Sequence, residues 1–300
     1  NLHAMTQSVP SSDHITARLF TDPSCPWGYS ANPALRVLEW RYREQIEWQL
    51  VMIGLSDPDE GPTEMTPEKI AGFWFTPRER YGMPFSLEPK VRFAYSARAC
   101  RAIIAARLNS PGSEWKVLRA LQLLNFNTPL LLDDDDQLRA AISTVAGLDA
   151  DAIVGAIDTP LVKAAYRADH SEARSSKGGP GDLQGKTRST ATGSRFSPPS
   201  LILSRHGQRL EAAGFQSVDS YDVLIANLHP GLRRTPPPQS PWDAVHLYPS
   251  GLATQEVAAI MAEGNDPPDR LAAERQLIEL VGEGRIRRVE MGNDAIWLAT

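Results

Sequence analysis

The sequence predicts an α/β protein with a helical segment inserted into it and a small α+β module at its end. Three observations lead there. A strand, a helix and a second strand succeed one another over residues 15–53. Apolar residues fall at helical spacing through most of residues 66–174. Beyond a proline-rich stretch, helices are followed by a hairpin. At 300 residues the chain has room for about two domains of ~150 residues, and it can bury a core without disulfide staples. Hydrophobic residues make up 42% and charged residues 22%, which excludes wholesale disorder. With 31 Lys+Arg against 36 Asp+Glu the net charge is −5, which argues against a general polyanion binder. Two cysteines, Cys25 and Cys100, are too few for a disulfide scaffold or a Cys-rich zinc site.

The elements follow in order. Residues 1–14 are polar and lack the basic-then-apolar layout of a secretory signal. No apolar run approaches the ~18 residues of a membrane span, so the expectation is a cytoplasmic protein with no membrane partner. Residues 15–20 (ITARLF) form a β-type run that stops at the turn formers Asp22, Pro23 and Ser24. A helical stretch runs from 26 to about 44, with Leu35, Leu38 and Tyr42 on one face, and Pro33 should kink or divide it. In residues 46–53, Ile46, Trp48, Leu50 and Met52 alternate with Glu47, Gln49 and Val51, the pattern of a half-buried strand. Strand, crossover helix and strand at this spacing make a parallel βαβ pair.

Helical periodicity then covers 95–108, 113–126, 136–146 and 150–169. The four aspartates at 133–136 stand just before a helix, where carboxylates cap free N–H groups, so they read as a cap and not as an interaction tail. Residues 171–193 shift to Gly, Ser, Thr and Lys without periodicity and predict a long loop. Its Gly-rich part, 177–181, lacks the strand-to-helix setting of a phosphate cradle and reads as a flexible loop; because the loop leads into Pro199, a lid over Cys25 is a hypothesis for it. Residues 200–204 and 208–213 predict a hairpin, 217–228 a helix, and 233–241 (RRTPPPQSP) a stiff linker. Helices at 253–262 and 268–282 precede strands at 285–291 and 295–298, a winged-helix layout. Residues 241–300 hold 5 Arg and no Lys against 10 Asp+Glu, with Arg285, Arg287 and Arg288 the only local positive cluster. That balance argues against nucleic acid and for protein contact or homodimerisation.

The sharpest chemical signal is Cys25. It stands between strand and helix with Pro26 beside it, and proline suits a first helical turn. A sulfur there faces free N–H groups and the positive dipole end, which predicts a thiol pKa lowered from ~8.5 into the range ~3.5–7.5. Cys100, between Ala99 and Arg101 in a helical run, reads as a small buried hydrophobe. The six histidines show no metal spacing, so no metal site is expected. Trp27 is placed at the rim of the site, and Phe73, Trp74 and Phe75 as core or groove wall.

Residues 20–28 (FTDPSCPWG) resemble the active-site segment of the DsbA family of thioredoxin-fold proteins, most of all its cytosolic FrnE-like branch, whose motif reads Cys-Pro-Trp-Cys. The likeness continues more weakly through 121–126 (LQLLNF) and 146–149 (AGLD), over roughly residues 14–230. It implies a discontinuous thioredoxin-like domain (12–65 and 195–232), a helical insertion with its long loop (66–194), and the winged-helix-like module (242–300) as an addition. It also implies that Pro199 is the cis-proline facing Cys25. Backbone groups of Ser197 and Pro198, together with Pro26, Trp27 and Gly28, would meet the substrate. One departure matters most: the second motif cysteine is Gly28 here, so no second thiolate can resolve a mixed disulfide within the chain. The expectation is therefore monothiol chemistry at Cys25, resolved by an external thiol such as glutathione or mycothiol, with no tightly bound cofactor. Two alternatives stand beside it: a small-thiol-dependent transferase or isomerase of the kappa type, and a redox-inactive binding protein.

Overall fold

The computed structural model describes residues 13–61, 63–190 and 193–300; the polar segment up to residue 12 lies outside the described residues. The chain opens with β1 (Ile15–Thr21), α1 (Pro26–Ser30), α2 (Asn32–Tyr42) and β2 (Ile46–Met52). β1 and β2 pair in parallel from Ile15↔Ile46 to Thr21↔Met52. Pro33 sits in the first turn of α2, and the divide it imposes falls at Ala31. The half-buried pattern of β2 holds only for its first half, because Leu50, Val51 and Met52 are all buried.

The insertion contains α3 (Pro67–Tyr81), α4 (Ala97–Asn109), α5 (Glu114–Asn127), α6 (Asp135–Ser143), α7 (Ala150–Ala156) and α8 (Pro160–Ala173). The single helix expected at 150–169 is two helices. Thr159 caps α8 through Val162 N–H, and Pro160 starts it, so the chain turns there. In the aspartate run, Asp134 caps α6 by accepting from Asp136 and Gln137 N–H. Asp133 and Asp135 pair with Arg92 and Arg98.

Residues 171–193 depart from the structureless loop expected of them. The segment carries α9 (Pro180–Leu183) and β3 (Thr187–Thr190), which pairs antiparallel with β4 (Gly193–Phe196). Short polar strands such as TRST have no apolar alternation to reveal them. The Gly-rich turn packs on the sheet edge, where Gly181 N–H donates to Glu211 Oε1 at 2.9 Å.

The chain then returns through β5 (Ser200–Arg205), β6 (Gln208–Ala212) and α10 (Val218–Leu228). The main sheet runs β2-β1-β5-β6, with β5 antiparallel to β1. One face of β1, carrying Ile15, Ala17 and Leu19, packs with Leu38 and the α4 residues Ile103 and Ile104. Phe20 on the other face packs with Val51, Phe196 and Ile202.

The last part comprises α11 (Pro241–Val245), β7 (Leu252–Ala253), α12 (Thr254–Met261), α13 (Arg270–Gly282), β8 (Ile286–Met291) and β9 (Asp294–Ala299), with sheet order β7-β9-β8. It is closely attached to the rest. Trp40 of α2 enters its core beside Leu277 and Trp297, and the Trp40 indole donates to Pro236 O at 2.7 Å. The buried Arg119 guanidinium binds both carboxylate oxygens of Glu256 at 2.9 and 2.5 Å. The proline-rich linker is thus laid along α2. The arginine cluster expected on the hairpin divides over its two faces: Arg285 lies over the Trp242 ring and Arg288 pairs with Glu290, while Arg287 points to neither. Among the described residues, no helix is long and apolar enough to cross a membrane.

Candidate active site

The turn between β1 and α1 is held by one buried carboxylate. Asp22 Oδ1 accepts from Ser24 N–H at 2.9 Å and Ser24 Oγ at 2.7 Å. Its Oδ2 accepts from Leu55 N–H at 2.7 Å, Ser96 Oγ at 3.0 Å and the Cys100 thiol at 3.5 Å. Asp22 O also accepts from Cys25 N–H at 3.1 Å. Five donors to one side chain leave this turn a single arrangement, and they tie it to β2 and α4.

Cys25 is the N-cap of α1, and its Sγ accepts from Gly28 N–H at 3.3 Å. Opposite it stands the loop before β5. The pairing of Phe20 with Ser200 brings that loop to the end of β1, and the Pro198–Pro199 bond is cis. The Cys25 thiol donates to Pro198 O at 3.6 Å. Ser200 Oγ donates to Ser197 O at 2.7 Å and accepts from Gly214 N–H at 2.9 Å, which fixes the loop. Cys25, Pro26, Gly28 and Pro199 are buried, while Trp27, Ser197 and Pro198 are half-buried around them. All seven residues singled out in the sequence thus lie at one place.

The expected acidic thiolate is not what this place makes. Cys25 is only 3% exposed, and burial pushes its thiol up to about 12, helped by the nearby Asp22 charge. The Gly28 and Trp27 N–H groups and the Arg195 guanidinium pull the other way and do not prevail. The reason is size: α1 has five residues, so its dipole is small, while desolvation of a fully enclosed sulfur is not. The resting state is a neutral thiol that both donates and accepts a hydrogen bond. Cys100 is fully buried, and burial with Asp22 beside it raises its thiol as well.

Position 28 has a physical reason to be glycine. A β-carbon there would lie 2.5 Å from Thr21 Oγ1, and 3.8 Å from Cys25 Sγ. The place of a β-carbon at residue 28 is therefore already occupied by the Thr21 side chain.

Around the sulfur, Trp27 meets Phe73, Tyr81 and Phe215 edge-on, with ring centroids 6.2, 5.8 and 6.5 Å away. Trp74 faces inward onto Phe85 and Phe126, whereas Phe75 is exposed. A cavity of about 260 Å³ opens beside this wall, lined by Ser24, Pro26, Phe73, Trp74, Lys90 and Arg92. Burial holds Lys90 down at about 8, and its ammonium donates to the carbonyls of Thr128 and Leu130. No group of metal-ligating side chains occurs among the described residues.

Three contributors were not singled out in the sequence. Thr21 and Asp22 flank the motif, but their roles depend on what packs on them. Arg195 lies just past the segment expected to be a loop. It pairs across the β3–β4 ladder with Arg188, and its guanidinium donates to Phe196 O at 3.0 Å. Neither guanidinium has an acidic partner among the described residues.

A parallel β1–α–β2 unit, a returning antiparallel hairpin and a cysteine at a helix mouth facing a cis-proline define a thioredoxin-fold protein with a helical insertion. Residues 16–178 match the DSBA-like thioredoxin domain, and the chain belongs to that family of thiol–disulfide oxidoreductases. Among solved structures it is similar to a candidate protein disulfide isomerase from Nitrosomonas europaea, with 15% identity, 71% of this chain and 97% of that one covered, and a TM-score of 0.57. The cytosolic disulfide reductase DsbM from Pseudomonas aeruginosa is matched at 17% identity over 72% of this chain and 100% of that one, with a TM-score of 0.52. A candidate DsbA oxidoreductase from Streptomyces coelicolor is matched at 19% identity over 74% and 92%, with a TM-score of 0.53. No curated protein sequence matches the chain.

Proposed function

We propose that this protein is a monothiol member of its family, exchanging disulfides through Cys25 alone. In the first step the Cys25 sulfur, having given up its proton, attacks a disulfide R–S–S–R′; a Cys25–S–S–R bond forms and R′–SH leaves with a proton. In the second step an external thiol attacks that mixed disulfide, restores the Cys25 thiol and carries R away as a new disulfide. The observation that carries this reading is the sulfur held between Gly28 N–H and Pro198 O, with glycine in the place of the resolving cysteine. Pro26, Trp27 and Gly28 would form one wall for the incoming group, and Ser197, Pro198 and cis-Pro199 the other. Pro198 offers a carbonyl but has no N–H, so a partner laid along this loop would find an acceptor there and no donor.

The external thiol in this reading carries a carboxylate. Arg188 and Arg195 stand as like charges directly opposite on one ladder, an arrangement that costs stability unless an anion joins them. Arg195 bears on Cys25 and Arg188 stands opposite Arg195, which favours glutathione over the uncharged sugar thiol mycothiol. A place in the cytoplasm, in the FrnE-like branch, fits this chemistry, and the Pseudomonas aeruginosa relative is a cytosolic disulfide reductase. The domain division proposed is 12–65 with 195–232, 66–194, and 242–300. The last is a winged-helix-like module serving protein contact or homodimerisation.

One observation favours a second reading. The enclosed, poorly acidic Cys25 suits a redox-silent protein that keeps the fold for binding. Incubation of Cys100→Ser with glutathione disulfide, followed by intact mass measurement, separates the two. Monothiol chemistry gives one glutathione adduct that reduced glutathione removes and that Cys25→Ser/Cys100→Ser does not form. A folded Cys100→Ser protein that stays unmodified at pH 9 supports the binding reading instead.

A further inference from the structure

The C-terminal sheet and the helical insertion enclose a second cavity, away from Cys25, of about 560 Å³. Its size lies within the ~300–1,000 Å³ range of small-molecule sites. The walls follow from two periodicities. Ala120, Leu123 and Leu124 of α5 fall at helical spacing on one side. On the other, Val289 of β8 lies across from Ile296 of β9 and Arg287 across from Leu298, with Met291 on the same face of the sheet. The surface is overwhelmingly apolar, yet no acidic residue lines it and three cations do: Lys116, Arg119 and Arg287.

Those cations are not equivalent. Arg119 is 3% exposed and spends its terminal nitrogens on Glu256 and Gly251 O, while its Nε–H is buried without an acceptor. Lys116 and Arg287 are exposed at the cavity and have no acidic partner among the described residues. Arg287 is also the member of the hairpin arginine trio that the Trp242 stack and the Glu290 pair leave unused. Apolar walls and two free cations at the cavity together describe a receptor for an amphipathic anion.

We propose that this cavity binds a small carboxylate with an unbranched or cyclic hydrocarbon body, of the medium-chain fatty-acid class. The hydrocarbon lies between α5 and the β8–β9 face, and the carboxylate meets Lys116 and Arg287. The ligand bridges the helical insertion and the C-terminal sheet, so its binding stabilises their contact.

Calorimetric titration of the full chain with decanoate, 1-decanol and decyltrimethylammonium tests this. Decanoate is expected to bind one-to-one, and Lys116→Glu/Arg287→Glu to bind it about tenfold more weakly or worse, the loss expected when charge-assisted hydrogen bonds are removed. Ala141→Trp, which fills the cavity, is expected to abolish binding. Should that variant fail to fold, the charge-reversed pair, altered only at exposed positions, carries the test by itself. The proposal is overturned if decanoate shows no binding at millimolar concentration. It is also overturned if decyltrimethylammonium binds as tightly, or if charge reversal leaves decanoate affinity unchanged.

Discussion

Thr21 Oγ1 lies 2.5 Å from where a β-carbon of residue 28 would stand, so these two positions share one volume. That β-carbon would also be 3.5 Å from Cys25 Cβ, within the ~3.5–4.5 Å that a disulfide requires. Gly28→Cys alone is therefore expected to overpack the site and lose about 1–3 kcal/mol of stability. Adding Thr21→Ala should recover part of that and permit a disulfide between Cys25 and the cysteine introduced at position 28. Denaturant melts measure the first effect, and loss of two free thiols on oxidation measures the second. Equal stability of Gly28→Cys and the unaltered protein would show that Thr21 is no obstacle.

The neutral Cys25 thiol has a pH signature. With the folded thiol pushed up to about 12, the alkylation rate in Cys100→Ser should rise about tenfold per pH unit from 7 to 10 without a plateau. Stability follows the opposite course. An unfolded thiol ionises near ~8.5, so between that pH and about 12 the unfolded chain sheds a proton that the fold retains. The contribution is whole below pH ~8.5 and falls by up to about 1.4 kcal/mol per unit above it. Comparing Cys100→Ser with Cys25→Ala/Cys100→Ser in denaturant melts at pH 8 and pH 10 isolates this difference. A plateau in alkylation near neutrality would mean a thiolate after all.

Much of the site was legible because it rests on local rules. Pro26 at a first turn, Pro33 just after a helix start, and alternation in residues 46–53 each act within a few residues. What was not legible depends on distant partners. The N-cap position of Cys25 was readable, but the burial that reverses its acidity was not, and one group packed on the sulfur, the Pro198 carbonyl, comes from far along the chain. The break at Thr159 and Pro160 did have a local signal, the same capping residue and proline seen elsewhere. By contrast, β3 and β4 are held by Ser176, Ser194 and Asp182 hydrogen bonds, which leave no apolar pattern. The attachment of the C-terminal part through Trp40 and Arg119 was equally silent, since a tryptophan or arginine on a helix does not say which surface it enters.

Arg195 should sort substrates by charge. Its guanidinium bears on Cys25 and faces Arg188 across the ladder. Arg195→Gln is expected to slow Cys25 modification by glutathione disulfide about tenfold, in line with loss of one charge-assisted hydrogen bond. Modification by hydroxyethyl disulfide, which is uncharged, should change far less. Rates for the two reagents on one protein preparation give the ratio directly. Equal slowing with both would assign Arg195 to loop structure and remove the argument for a carboxylate-bearing thiol.

The ion pair between α5 and α12 makes a separate prediction about how the C-terminal part is held. Glu256 is fully buried; it accepts from Arg119 and from Ala253 N–H at 2.7 Å, and has Arg36 Nε at 3.6 Å. Arg119→Met removes the charge that compensates it most closely, and breaking such a pair costs about 3–5 kcal/mol. Glu256→Gln keeps the shape and the bond to Ala253 N–H but leaves Arg119 buried without its counter-charge, so it should be comparably harmful. Arg119→Met/Glu256→Gln removes both charges while keeping an acceptor for Ala253 N–H, and should be more stable than either single variant, since no ion is left stranded. Urea melts followed by tryptophan fluorescence, with Trp297 and Trp40 in the affected core, provide the readout. Strict additivity of the two single losses in the double variant would show that the residues act independently.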